Sequence, residues 1–260
     1  MKKIVVVSLG LVFLALLVAF VFGFVLLGSV VKASVEKVGP IVLKVPVKLD
    51  GANVSVFNGK GQLNGFEIGN PEGFKSPSAI KVGSVAVAIQ PKSVLADKVI
   101  IPSIRVQGPE ITYETDLKGS NLSKILDNVR ALAGSGQAQQ QPGEPTKKAK
   151  KLQVDEFLIT GGRISVAATM LGGKGATLPL PEIRLTNLGQ GADGITATEL
   201  AEKILSAVTA GTVKAVAEGG AALAKDAVAG AANVSTNVLN KAGSEGTKAL
   251  QKVGDMFKKK

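Results

Sequence analysis

The stretch GFEIGNPEGFKSPSAIKVGSVAVAIQPKSVL, residues 65–95, decides the fold. Two turns rich in Asn, Pro, Gly and Ser enclose an apolar run in which large and small side chains alternate, namely Val85, Ala86, Val87, Ala88 and Ile89. A period of two is typical of a β-strand, in which successive side chains point to opposite faces. The sequence therefore predicts a strand with large apolar groups on one face and small ones on the other.

Further strands are predicted before and after this stretch. Residues 41–50 alternate apolar and polar side chains, and Pro46 favours an edge position because proline cannot donate a hydrogen bond to a neighbouring strand. Asn58-Gly59 is a typical two-residue hairpin turn. Residues 99–114 repeat the apolar alternation. Together these segments predict the first half of a β-sheet.

The second half of the chain follows a helix and a linker. Asn121 is expected to cap the helix, and residues 135–151 have the composition of a flexible linker. Gly161-Gly162 separates two alternating segments, which predicts a hairpin turn. Two prolines in residues 178–189 favour another edge strand, and the capping-box pair Thr196 and Glu199 predicts the start of a last helix.

The N-terminal segment has the composition of a membrane span. Residues 4–31 contain no charged side chain and would form a helix about 42 Å long, enough to cross a hydrocarbon core of ~30 Å. A cleaved signal peptide is the alternative reading, since VKA at residues 31–33 resembles a cleavage site. The length of the apolar run favours an uncleaved anchor. Lys2 and Lys3 favour a cytoplasmic N-terminus, with the rest of the chain outside the cytoplasm.

Composition excludes several classes of function. The chain has no Cys and no His, which removes thiol nucleophiles, His-based triads and the usual zinc ligands. Its net charge is +11, but it has no Trp and one Tyr, so nucleic-acid binding by base stacking is not expected and anionic lipid headgroups fit the charge better.

The acidic residues do not form a catalytic pair. Glu110 and Glu114 would lie about 13 Å apart on an extended strand, and the adjacent Asp155 and Glu156 would face opposite ways. We therefore expect no enzyme activity, no cofactor and no metal.

Three features of the chain occur in the same order in a known family. They are the Asn70-Pro71 turn, a strand–turn–strand step over Pro91–Leu95 and the helix start Asn121-Leu122. With the N-terminal apolar segment before them, they resemble the AsmA-like family of bacterial envelope proteins. The likeness covers about residues 61–217 and includes the strands of the second half.

The resemblance implies a single-pass protein of the bacterial inner membrane with its bulk in the periplasm. It also implies a curved antiparallel sheet with an apolar groove, along which long members carry phospholipid toward the outer membrane. Eight or nine strands at ~4.8 Å spacing would extend only about 40 Å, too short to bridge two membranes alone. We therefore expect the chain to bind phospholipid or help transfer it, with envelope proteins as further partners. An envelope scaffold without lipid cargo is the alternative.

These expectations define a fold, its parts and a site. The fold is a membrane-anchored α+β protein with one N-terminal transmembrane helix, a curved, groove-like antiparallel sheet, one or two packing helices and a C-terminal Ala-rich helix. Its parts are the anchor 1–31, a β-rich half 32–134 ending in a helix, the linker 135–151, a second β-rich half 152–190 and a helical tail 195–260. The residues expected on the lipid-binding face are Val85, Val87, Ile89, Ile104, Val106, Leu158, Ile164 and Val166. Packing of these side chains into an ordinary core is the competing interpretation.

Overall fold

The computed structural model describes residues 27–55, 57–116, 119–134, 150–167 and 176–219. The fold is α+β, with a strongly curled, half-barrel sheet and three helices. Within the described ranges, no helix is both long and apolar enough to cross a membrane. The predicted span lies outside these ranges up to residue 26, as do residues 135–149 of the predicted linker and the predicted tail from residue 220 onward.

Eleven strands and three helices follow one another along the described chain. The helices are α1 (27–43 in its described part), α2 (Asn121–Gly134) and α3 (197–219), and a short 3-10 helix covers Pro91–Leu95. The strands of the first half are β1 (Val47–Ser55), β2 (Lys60–Gly69), β3 (Ser78–Ala88), β4 (Lys98–Gln107), β5 (Glu110–Tyr113), β6 (Thr115–Asp116) and β7 (Gly119–Ser120). Those of the second half are β8 (Lys151–Thr160), β9 (Arg163–Val166), β10 (Ala176–Pro179) and β11 (Ile183–Leu188).

Nine of these strands form one mixed sheet. On one side of β3 lie β2 and then β1, and on its other side lie β4 and β5. Strand β8 pairs with β4 and β9 with β5, both in parallel, and β11 and β10 complete the sheet. The prediction of a purely antiparallel sheet is therefore wrong. Parallel neighbours need a long crossover, and the chain between β5 and β8 includes α2.

The predicted hairpin at Gly161-Gly162 is also wrong. Strands β8 and β9 continue in the same direction, beside β4 and β5, in one unbroken register. Gly161 has φ 65° and lies opposite Gly108, which has φ 59°. The two neighbouring strands therefore bend together at these glycines. Their backbone dihedrals lie in the left-handed region, where glycine carries no Cβ penalty.

A row of glycines crosses the sheet at this bend. The registers place four glycines side by side across the sheet. They are Gly65 of β2, Gly83 of β3, Gly108 between β4 and β5, and Gly161 between β8 and β9. Asp50 of β1 lies opposite Gly65 at one end of the row. We call this row the glycine crease. Because its residues have no side chains on either face, the sheet can bend along it.

Burial changes face at the glycine crease. In β3, Ile80 and Val82 are buried before Gly83, whereas Val85 is buried after it. Even-numbered and odd-numbered residues of a strand point to opposite faces, so the two parts of β3 are covered from different sides. On the side of the crease where β3 begins, Ile80 lies in one row with Ile111 of β5 and Ile164 of β9, and all three are buried.

The edge strand β1 starts later than expected and is covered by α1. Residues 41–43 are helical and β1 starts at Val47, so the strand predicted over 41–50 is wrong in its first part. Its edge position is confirmed, since β1 pairs with β2 alone among the described strands. Lys32 of α1 donates to the Leu49 carbonyl (2.5 Å), and Glu36 accepts from the Leu49 N–H (3.1 Å). These two side chains satisfy backbone groups that an open edge would leave exposed.

The other two helices are held by polar contacts. Helix α2 starts at Asn121, but its cap is Ser120, whose Oγ accepts from the Ser123 N–H (3.1 Å), so the predicted cap is off by one position. Asn128 of α2 donates to the Leu43 carbonyl (3.0 Å). The predicted capping box of α3 is confirmed, because Thr196 Oγ1 accepts from the Glu199 N–H (3.1 Å) and Glu199 accepts from the Thr196 N–H (2.6 Å).

Candidate functional site

Four of the predicted site residues lie on β3 and β4 and form two cross-strand pairs. Val85 pairs with Val106, and both are buried. Val87 pairs with Ile104, and both are half-buried. Ile89 follows the end of β3 and is half-buried, with its N–H donating to the Gly59 carbonyl (2.6 Å). These residues share a neighbourhood, as predicted, but their face is mostly withdrawn from solvent.

Leu158 lies on the opposite face of the sheet. Its register partners are Arg105 of β4 and Arg184 of β11, whereas Phe157 and Ile159 of β8 lie in the rows of Ile104 and Val106. The parallel pairing of β8 with β4 fixes this assignment. Placing Leu158 on the Val85 face is therefore an error of one position in β8.

Ile164 and Val166 lie beyond the glycine crease. They pair with Ile111 and Tyr113 of β5 and are 0% and 5% exposed. The predicted residues thus do not line one open surface. Those that are fully buried are packed into the core, which was the competing interpretation.

An open concavity of about 730 Å³ lies on the face opposite Val85, across β1 to β4. Two register rows supply most of its lining, and the remaining lining residues are Ala52, Val54, Gly61 and Val87. The first row consists of Asn53, Gln62, Ala86 and Arg105, and the second of Ser55, Lys60, Ala88 and Ser103. We call this surface the concavity. It occupies the part of the sheet between the glycine crease and the ends of β1 and β3.

The concavity combines small side chains with two cations. Ala86 and Ala88 leave its centre free of bulk, and Gln62 is held in place by a hydrogen bond to Ser84 Oγ (2.9 Å). Lys60 and Arg105 are the charged members of its lining. The lining therefore offers methyl groups for an apolar chain and, on β2 and β4 with β3 between them, one cation each for an anionic group.

Arg105 is oriented by an ion-pair chain at the border of the concavity. Its guanidinium lies 3.7 Å from Glu156 Oε2, and Glu156 Oε1 lies 2.5 Å from Arg184 Nη1. Arg184 also pairs with Glu182 (3.4 Å), so this border contains two carboxylates and two guanidinium groups, and its charges balance.

The remaining acidic candidates have structural partners. Glu110 pairs with Arg163 (3.2 Å), and Asp155 accepts a hydrogen bond from Gln153 (2.8 Å). Glu114 is buried and accepts from the N–H groups of Lys75 and Ser76 and from Ser76 Oγ. Burial acts to raise the pKa of Glu114, but the three hydrogen bonds favour the charged form, and the net pKa is below the ordinary value.

The sequence pattern led to one residue of this lining, Val87, and missed the others. The pattern did contain the relevant feature, since Ala86 and Ala88 alternate with the large residues of β3. The large side chains of β3 were predicted to line the site because they need an apolar environment. Large side chains on a strand find that environment in the core, and an open surface is more often found where the side chains are small or polar.

Comparison with models of known protein families gives a match. The sequence profile described as the AsmA family matches residues 1–172, well over half of the chain. A search among curated proteins finds no match.

Proposed function

The chain belongs to the AsmA family, and on that premise we propose that it is an envelope protein that binds phospholipid in the concavity and helps to transfer it. Members of this family are generally envelope-associated. In the proposal, residues 4–31 anchor the chain in the bacterial inner membrane and the sheet lies in the periplasm. The uncharged run of residues 4–31 supports the anchor, and the curled sheet is compatible with an envelope role.

The observation that carries the proposal is the concavity itself. Its volume falls in the range of ligand sites, roughly 300–1,000 Å³, and its lining offers methyl groups beside two cations. A phospholipid has the same two parts, an apolar chain and an anionic phosphate. A single concavity across four strands is suited to holding a lipid, and transfer would need further protein surface to continue the path.

An envelope scaffold remains the second candidate. Strand β11 pairs with β8 alone and β10 with β9 alone among the described strands, so this edge of the sheet presents unpaired backbone groups. Such an edge can pair with a strand of another protein. A scaffold would function without a lipid in the concavity, whereas a lipid-binding protein would not. This difference distinguishes the two functions.

Filling the concavity tests the proposal. The double substitution Ala86→Phe and Ala88→Phe adds two rings to the centre of the lining, while Thr177→Phe places one ring on an exposed position of β10, away from the concavity. Each protein is purified in detergent, and phospholipid in its organic extract is measured by mass spectrometry per mole of folded protein.

We expect wild type and Thr177→Phe to carry similar amounts of phospholipid and the double variant to carry several-fold less. Circular dichroism checks that all three proteins are folded. Wild-type protein without phospholipid above the detergent background would reject the lipid function and favour the scaffold. Unchanged phospholipid in the folded double variant would place the lipid elsewhere.

A further inference from the structure

Large apolar side chains are exposed at one end of the sheet. The turn between β1 and β2 carries Phe57, which is 74% exposed, and the 3-10 helix between β3 and β4 carries Leu95, which is 92% exposed. Val94 beside it is 43% exposed. Exposing such side chains to water is unfavourable, and their position on two turns at the same end of the sheet marks an interaction surface.

Lysines accompany these side chains. The described turn residues and strand starts at this end, residues 57–60, 91–98, 150–151 and 189–195, contain five lysines and two acids, Asp97 and Asp193. Lys150 also donates to the Val94 carbonyl, which places one of these cations directly beside the exposed pair. Apolar tips among lysines match the boundary of an anionic bilayer, where acyl chains meet phosphate groups.

Helix α1 leads toward the same end. Its Lys32 contacts Leu49, and nearer its first described residues Gly28 lies against the Ala52 carbonyl with no room for a Cβ. Going backward along the chain, α1 therefore runs along β1 toward the turn of Phe57. The predicted membrane span lies immediately before this helix in the sequence. The concavity also reaches this end, through Ser55, Lys60 and Ala88.

We infer that the turns carrying Phe57 and Leu95 insert into the interface of an anionic bilayer and hold the concavity against the membrane from which lipid enters. The inference rests on the proposed function, because it takes the chain to be membrane-anchored. The opposite end of the sheet, where β2 turns into β3, faces away from the bilayer. A strand of eleven residues separates the two ends by roughly 35 Å.

A single tryptophan reports on this contact. The chain has no Trp of its own, so Leu95→Trp, Phe57→Trp and, as control at the opposite end, Glu72→Trp each give one fluorophore. The full-length variants are reconstituted into vesicles of phosphatidylethanolamine and phosphatidylglycerol that contain brominated phospholipid as quencher. Matched vesicles of phosphatidylcholine test the role of charge.

We expect Leu95→Trp and Phe57→Trp to show blue-shifted emission and several-fold stronger quenching than Glu72→Trp. Adding Lys92→Glu and Lys98→Glu should weaken the quenching in anionic vesicles more than in phosphatidylcholine. Equal quenching at both ends, or none at either turn, would overturn the inference and leave these side chains as a surface for a protein partner. Quenching at the turns in a protein that carries no lipid would retain the bilayer contact and reject the lipid cargo.

Discussion

The buried carboxylate of Glu114 binds the turn between β2 and β3 and holds it next to the start of α2. Glu114, 5% exposed, binds the backbone of Lys75 and Ser76, and its own N–H donates to Asn121 Oδ1 (3.1 Å). Asn121 also donates to Asn70 Oδ1 (2.8 Å), which closes the network. The sequence indicated Asn121 as a helix cap, but it gave no indication that Glu114 was buried, because the donors that satisfy Glu114 lie almost forty positions away in the chain.

Acid should remove the contribution of Glu114 to stability. Its folded-state pKa lies below the unfolded value of about 4.3, so the stabilisation is present above that pH and is lost as the pH falls through the folded pKa. We expect Glu114→Gln to lower the free energy of unfolding at pH 7 by about 1.5–3 kcal/mol, as for hydrogen bonds to a charged group.

Denaturant unfolding in detergent at neutral and acidic pH measures this effect. The difference between wild type and Glu114→Gln should shrink as the pH falls below the unfolded pKa. The control Glu110→Gln removes an exposed ion pair with Arg163 and should change stability by less than about 1 kcal/mol. A Glu114→Gln effect that stays constant with pH would contradict the assigned hydrogen bonds to the ionised carboxylate.

At the scale of elements, the glycine crease explains which predictions failed. The sequence showed breaks at Gly108 and at Gly161-Gly162, and a break followed by a new strand resembles a hairpin. Whether the chain reverses or only bends depends on its neighbours. Here β8 and β9 both follow β4 and β5 in parallel, and that long-range pairing leaves no trace in a local pattern. The Asn58-Gly59 hairpin signal, by contrast, is local, and the predicted hairpin between β1 and β2 is confirmed, although Ser55 pairs with Lys60 and the connection is therefore longer than two residues.

Two glycines of the crease should differ in their tolerance of a side chain. Gly65 has φ 61°, and an added Cβ would overlap the Asp50 carboxylate, whereas Gly83 has no heavy atom within 4 Å of such a Cβ. We expect Gly65→Ala to destabilise by about 1–2 kcal/mol or more, and Gly83→Ala to be nearly neutral. Thermal unfolding of the two variants checks this, and equal effects would contradict the bent backbone at Gly65.

At the scale of the whole molecule, family, fold class and edge strands were accessible from the sequence. The order of short motifs indicated the family, and the period of two indicated the strands, because both are local properties. The face that each residue takes was less accessible. It depends on registers between distant strands, and a slip of one position moved Leu158 to the wrong side. The covered face of β3 also changes at the crease, so Val85 is buried, Val87 is half-buried and Ala86 lies in the concavity.

The most direct test of the central claim is photo-crosslinking in the concavity. A photoreactive amino acid replaces Ala86 in the full-length protein in living cells, and Thr177 on the exposed strand β10 is replaced in a control. After irradiation, mass spectrometry of the peptide that contains the probe identifies its adducts. A phospholipid held against Ala86 predicts phospholipid adducts at that position and several-fold fewer at Thr177. No phospholipid adduct at Ala86, or equal amounts at both positions, would contradict the claim that the concavity holds lipid.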